Sequence, residues 1–218
     1  MARRYDLIVF DWDGTVMDST EVIAGSIQAA CRDLGLAAPS DNAAKHVIGL
    51  GLQEALSRAV PDLKEDQRGD LVARYRHHFL ARGEDIPLFD GAQQTIAELH
   101  AAGHWLAVAT GKSRQGLQRA MQTSGMESYF HATRTADQTF SKPHPAMLLE
   151  IMDQLGVMAE RVLMVGDTTH DLQMARNAGV DAIGMTHGAH PADQLRALEP
   201  LALLDDFVGL RAWFKEYA

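Results

Sequence analysis

The chain has 218 residues, 46% of them hydrophobic and 22% charged, with a formal net charge of −9 and one cysteine, Cys31. This is the balance of a globular chain able to bury a core, as one domain or as one domain carrying an insertion, and it argues against disorder. The acidic surplus excludes a nucleic-acid partner, which needs positive charge to release counterions; a lone cysteine closes no intramolecular disulfide and fits a small buried apolar residue in a reducing compartment.

The opening Met1-Ala2-Arg3-Arg4 is basic, but only four apolar residues precede Asp11, too few for a secretory h-region of ~7–15. No stretch approaches the ~18 apolar residues that span a bilayer, so a cytoplasmic chain without membrane contact is expected. The run Leu7-Ile8-Val9-Phe10 reads as a strand buried on both faces, and it ends on Asp11-Trp12-Asp13-Gly14-Thr15. Beyond it the spacing turns helical. Ile23, Ile27, Ala30 and Leu34 share one face before the stop at Gly35, and further helical patterns cover Leu52–Ala59 and Leu71–Arg82, with Pro39, Pro61 and Pro87 as breaks.

After Asp90-Gly91, strands and helices alternate. Helices are expected over Ala92–Ala102, Gln115–Ser124, His144–Leu155 and Leu172–Ala178, each closed by a glycine, and over Phe207–Tyr217. Strands are expected over Trp105–Ala109, Ala132–Thr135, Val162–Val165, Ala182–Met185 and Leu201–Leu204. The fold class is therefore α/β, with a parallel sheet built by residues 1–15 and 88–218 and an all-helical insertion over 16–87. The insertion leaves the strand edge that carries Asp11 and Asp13, so it is placed to cover them, with hinges expected near Gly14–Thr20 and Gly83–Gly91.

Side chains alternate along a strand, so Asp11 and Asp13 emerge on the same side, and their mutual repulsion asks for a cation. Thr110-Gly111, Lys142-Pro143 and Gly166-Asp167 fall at the carboxyl ends of later strands, and Asp171 lies four residues beyond Asp167 on the first turn of a helix beginning near Thr168. In open α/β sheets such loops converge on one crevice. Four carboxylates, an ammonium, a hydroxyl and a helix N-terminus suit phosphate with Mg²⁺, which takes oxygen ligands from one or two carboxylates plus phosphate. One aspartate can accept the phosphoryl group while the other moves protons, and Thr110 and the Gly111 amide can donate hydrogen bonds.

The segments Asp11-Trp12-Asp13-Gly14-Thr15, Thr110-Gly111, Lys142-Pro143 and Gly166-Asp167…Asp171 resemble, in order, the four motifs of the haloacid-dehalogenase (HAD) superfamily. The helical insertion is similar to the α-helical cap of the subgroup containing phosphoglycolate phosphatases. The resemblance implies a Rossmann-like core and a Mg²⁺-dependent phosphatase acting on a small phosphorylated metabolite such as 2-phosphoglycolate, as a monomer or homodimer. It implies Asp11 as nucleophile, Asp13 as general acid/base, Thr110 and Lys142 as phosphoryl-holding residues, and Asp11, Asp13 (through its carbonyl) and Asp167 as metal ligands, with Asp171, Gly111 and Gly166 in support. True dehalogenases of the superfamily lack the second aspartate of the first motif; this chain keeps Asp13. Two alternatives are a phosphoglucomutase-like phosphotransferase and, less favoured, a receiver-like phospho-switch.

Other signals read more plainly. Gly111-Lys112-Ser113 imitates the end of a Walker A loop, but the required earlier glycine would fall at Leu106. Gly49-Leu50-Gly51 lacks the third glycine of a dinucleotide site and is read as a flexible loop facing the substrate. His77-His78 and His187-x-x-His190 are read as surface histidines rather than zinc ligands, and Trp12 as a packing residue pointing away from its acidic neighbours. Lys45, Arg58, Arg74 and Arg76 are read as a solvated helix face with the option of meeting a substrate carboxylate.

Overall fold

In a computed structural model, which describes residues 4–82 and 86–217, the run Leu7–Phe10 forms strand β1 inside a six-stranded sheet. The others are β2 (Trp105–Thr110), β3 (Ala132–Thr135), β4 (Val162–Gly166), β5 (Asp181–Met185) and β6 (Ala202–Leu204). Their spatial order is β3-β2-β1-β4-β5-β6 and every neighbouring pair is parallel. All six lie within one residue of the runs read from the sequence. The chain works outward from β1 through β2 to β3, then returns to β4 on the other side of β1, which puts the reversal of strand order, and the crevice it creates, beside Asp11.

Alternation along β1 divides the core. Ile8 and Phe10 pack with residues of α5 (Ala92–Ala101), α6 (Arg114–Ser124) and α10 (Phe207–Tyr217), including Ile96, Leu117 and Leu210. Leu7 and Val9 face α7 (Ala146–Leu155) and α8 (Thr169–Ala178) through Met147, Ile151 and Met174. Helices on both faces explain why β1 and β4 are apolar throughout. Trp12 is fully buried on the first side, edge-on to Phe130 at 6.1 Å, as expected of a packing residue.

Between β1 and α5 lie α1 (Thr20–Asp33), α2 (Asp41–His46), α3 (Leu52–Ala59) and α4 (Arg68–Arg82). They bury a separate apolar cluster that includes Ile27, Cys31, Leu56 and Leu71. Helix α2 and the five-residue α9 (Ala192–Arg196) escaped the sequence reading, because fewer than two turns display no usable periodicity. The outgoing and returning connections run side by side: Asp18 N donates to Pro87 O and Phe89 N to Val16 O, both at 3.0 Å. Of the expected hinge segments, Gly14–Thr20 begins this pairing, while residues 83–85 lie outside the described residues. No helix among the described residues is long and apolar enough to cross a membrane.

Candidate active site

The ladder of β1 runs one residue past its end, with Asp11 N donating to Val165 O at 2.9 Å, so the backbone of Asp11 is tied to β4. Its carboxylate is completely buried; Oδ1 receives Trp12 N at 2.6 Å and faces Lys142 Nζ at 2.8 Å, whereas Oδ2 has no hydrogen-bond partner among the described residues. Lys142 is equally buried and also meets Asp171 Oδ1 at 2.6 Å. Asp171 is held by the start of α8, where Thr168 and Asp171 form a reciprocal capping box: Thr168 N and Oγ1 donate to Asp171 Oδ2 at 3.0 and 2.6 Å. The same aspartate therefore closes a helix and partners the lysine.

Asp167 comes in from the end of β4. Thr15 Oγ1 donates to its Oδ1 at 2.6 Å and Ala189 N to its Oδ2 at 2.7 Å. The loops reach it only because they lack side chains at two points. A Cβ on Gly14 would stand 2.3 Å from Asp167 Oδ2 and one on Gly188 2.1 Å, and Gly14 also turns at φ +82°. Gly166 is constrained likewise, since a Cβ there would lie 2.4 Å from that of Asp171.

Ligand oxygens of Asp11, Asp167 and Asp171 all lie within 4.8 Å of one another. Burial, which penalises charge, pushes the Asp11 carboxyl well above the usual range; Lys142 opposes this, and Asp171 and Asp167 add to it. Asp167 is pushed up to about 7, first by burial and then by Asp171, against the hydrogen bond from Thr15. Burial works against the Lys142 ammonium too, but the Asp11 and Asp171 carboxylates outweigh it and raise its pKa. With every group ionised, three acids around one ammonium leave two negative charges uncompensated. A dication fits that deficit, and the bare Asp11 Oδ2 supplies a lone pair for it or for an electrophile.

Asp13 sits apart from this group. Its Oδ1 accepts from Ser19 Oγ at 2.7 Å and is paired with Lys112 Nζ at 2.9 Å. It borders a cavity of about 580 Å³ between the helical insertion and the core, lined also by Val47, Leu50, Tyr75, Phe79 and Lys112. Thr110 ends β2 almost fully buried, its Oγ1 accepting from Lys112 N at 3.2 Å. Gly111 lies under the insertion: a Cβ there would meet Leu50 O at 2.3 Å. The loop Gly49–Gly51 covers the site, with the Cβ position of Gly49 3.8 Å from Asp11 Oδ2 and Gly51 N donating to Ser141 Oγ at 2.9 Å.

Sequence reasoning missed several of these contacts. Thr15 closes the first motif and Lys112 follows Thr110-Gly111, yet neither spacing announces the contact with Asp167 or with Asp13, and Ser19 belongs to no motif. The histidines need correction. His190 is buried and His170 nearly so; Thr169 N donates to His190 Nδ1 at 3.0 Å, leaving Nε2 to donate to His46 O at 3.1 Å. His170 Nε2 donates to the same carbonyl at 3.0 Å. Burial holds both imidazoles below the usual histidine range, His190 at about 4. They join α2 of the insertion to α8 and the loop before α9. His187, half-buried, bridges the carbonyls of Thr15 and Asp205. Of the cationic residues weighed on the insertion, Lys45 is paired with Glu21 and Arg58 with Glu54, and only Arg76 borders the cavity.

The family model of the haloacid dehalogenase-like hydrolases matches residues 8–185. The chain belongs to that family. Among its relatives are "Probable phosphatase IndB" of Dickeya dadantii, 38% identical over 92% of this chain and 90% of that one, and the phosphoglycolate phosphatase of Aliivibrio fischeri, 31% identical over 97% of each. A crystal structure of a predicted phosphoglycolate phosphatase from Haemophilus somnus 129pt superposes with a TM-score of 0.87 at 28% identity, covering 96% of this chain and 98% of that one. The HAD-like match begins inside β1 and ends with β5, so it takes in the helical insertion and every strand but β6.

Proposed function

We propose that this HAD-like hydrolase is a Mg²⁺-dependent phosphatase that hydrolyses a small phosphomonoester through an aspartyl-phosphate on Asp11. The observation that carries the reading is the bare Oδ2 of a buried Asp11, set among Asp167, Asp171 and Lys142 with their two surplus negative charges. Asp11, Asp167 and the Asp13 carbonyl would hold Mg²⁺, with Asp171 orienting Lys142. When bound, the ion offsets the charge of the carboxylates and of the phosphoryl oxygens, so that an anionic substrate can approach.

The Asp11 carboxylate attacks phosphorus in line with the leaving alcohol; an O–P bond to Asp11 forms as the ester O–P bond breaks, and Asp13 gives its proton to the departing oxygen. Asp13 then takes a proton from water as the water oxygen bonds to phosphorus and Asp11 is released. Lys142, with Thr110 and the amide of Gly111, balances charge on the transferring group. We take residues 16–87 as a cap domain over the core formed by residues 1–15 and 88–218, excluding bulk water during transfer. The names of the relatives support a phosphoglycolate-like substrate, and a 580 Å³ cavity leaves room for larger leaving groups.

The test is release of inorganic phosphate from a panel of phosphorylated metabolites, with Mg²⁺ and with EDTA. Turnover that requires Mg²⁺ and disappears in Asp11→Asn supports the reading. Turnover retained by that variant would remove Asp11 from its role, and isomerised sugar phosphate in place of inorganic phosphate would point to transferase chemistry instead.

A further inference from the structure

A free carboxylate offers two equivalent oxygens, yet Asp13 has lost that symmetry. Both donors that reach it, Ser19 Oγ at 2.7 Å and Lys112 Nζ at 2.9 Å, converge on Oδ1, while Oδ2 has no hydrogen-bond partner among the described residues. The pair is largely withdrawn from solvent, the two side chains being 10% and 9% exposed. Lysine carries three donors and no acceptor, so an ammonium beside Oδ1 occupies that oxygen as acceptor and leaves the lone pairs of Oδ2 open.

Lys112 is itself fixed from two directions. Its backbone N is tied to Thr110 Oγ1 at 3.2 Å, at the end of β2. Its Nζ lies 4.8 Å from the ring centroid of Phe79, which belongs to α4 of the insertion and stacks on Tyr75 at 5.8 Å. An aromatic face over an ammonium that has lost most of its water adds attraction and removes alternative rotamers. The ring reaches Lys112 only while the insertion rests on the core.

We infer that Lys112 is a positioning residue for Asp13, pinning Oδ1 so that Oδ2 alone exchanges the proton with the leaving group and with water, and that Phe79 couples this arrangement to docking of the helical insertion. The inference rests on the acid/base role of Asp13 proposed above. In the first half-reaction the proton on Oδ2 passes to the alkoxide as its bond to phosphorus breaks; in the second, a water proton returns to Oδ2 as the new O–P bond forms.

The experiment compares kcat/KM for an alkyl phosphomonoester and for 4-nitrophenyl phosphate, with Mg²⁺, in the parent enzyme, Asp13→Asn, Lys112→Met, Lys112→Arg and Phe79→Leu. This ratio reports phosphoryl transfer to Asp11, where an alkoxide needs a proton and 4-nitrophenolate leaves without one. Asp13→Asn is expected to lose about 10²–10⁴-fold on the alkyl ester and far less on the aryl ester. Lys112→Met is expected to show the same skew at ~10-fold or more, Lys112→Arg to recover part of it, and Phe79→Leu to show it weakly. A fold defect or lost phosphate binding lowers both esters together, so an equal fall in Lys112→Met, or no fall, overturns the inference while a skew in Asp13→Asn keeps the acid/base assignment. Absence of skew in Asp13→Asn overturns both.

Discussion

Asp11 and Asp13 leave the same strand two residues apart and arrive in opposite surroundings. Asp11 is wholly buried in the core, fastened to β4 by its backbone and to Lys142 by its side chain, with two more acids beside it. Asp13 borders the cavity under the insertion, and its partners Ser19 and Lys112 stand where the insertion begins and where Phe79 of α4 comes down. Asp11 stands in a crowded acidic site that calls for a cation, whereas Asp13 meets two donors that both reach one oxygen, Oδ1.

The sharpest way to break this comparison is to neutralise each acid in turn. Asp11→Asn is expected to lower phosphate release by ~10⁴-fold or more. It should at the same time raise the melting temperature of the metal-free protein by a few degrees, because one of the crowded charges is gone. Asp13→Asn should leave that temperature nearly unchanged. A fall in melting temperature for Asp11→Asn would show that crowding at Asp11 has been overstated.

Breaking the buried pair at Lys142 comes next. Lys142→Met leaves Asp11 and Asp171 without their counter-charge and is expected to cost about 3–5 kcal/mol in urea unfolding. Thr15→Val, which removes one donor to buried Asp167, should cost about 1–3 kcal/mol. Ser19→Ala on the Asp13 side should cost only ~0.5–1.5 kcal/mol.

A pH series sharpens the contrast further. The folded-state pKa of Asp167 is raised to about 7, so between the ordinary carboxylate range and that value the native state binds more protons than the unfolded chain. Stability of the metal-free protein from this group is therefore present at low pH and lost as pH rises through about 7. Mg²⁺ should raise the melting temperature more at about pH 8 than at about pH 5, where protons compete for the same oxygens. An equal Mg²⁺ shift at both values would detach the ion from this cluster.

Much of this is legible in the sequence itself. The apolar runs Leu7–Phe10 and Val162–Val165 announced doubly covered strands, and glycines at 125, 156 and 179 stopped helices where α6, α7 and α8 end. Asp11, Lys142, Asp167 and Asp171 could be grouped because each lies near the carboxyl end of a parallel strand or just beyond it. The short helices α2 and α9 could not be seen, and neither could the burial of His190, whose shelter comes from α2 and from the Thr169 amide.

Local chemistry along the chain thus determined the sheet, the helical insertion and the loops that carry acids to one edge, since strand alternation, helix periodicity and glycine turns are properties of neighbouring residues. Only the tertiary structure decided that Lys112 pairs with Asp13, that Gly49–Gly51 covers Asp11, and that Thr15 and Ala189 hold Asp167. Those contacts join residues up to 152 positions apart, as Thr15 and Asp167 are, and no local spacing encodes them. They exist because the packing of the insertion on the core sets which side chains lose their water, and a charge that loses its water takes the partner the fold has placed within reach.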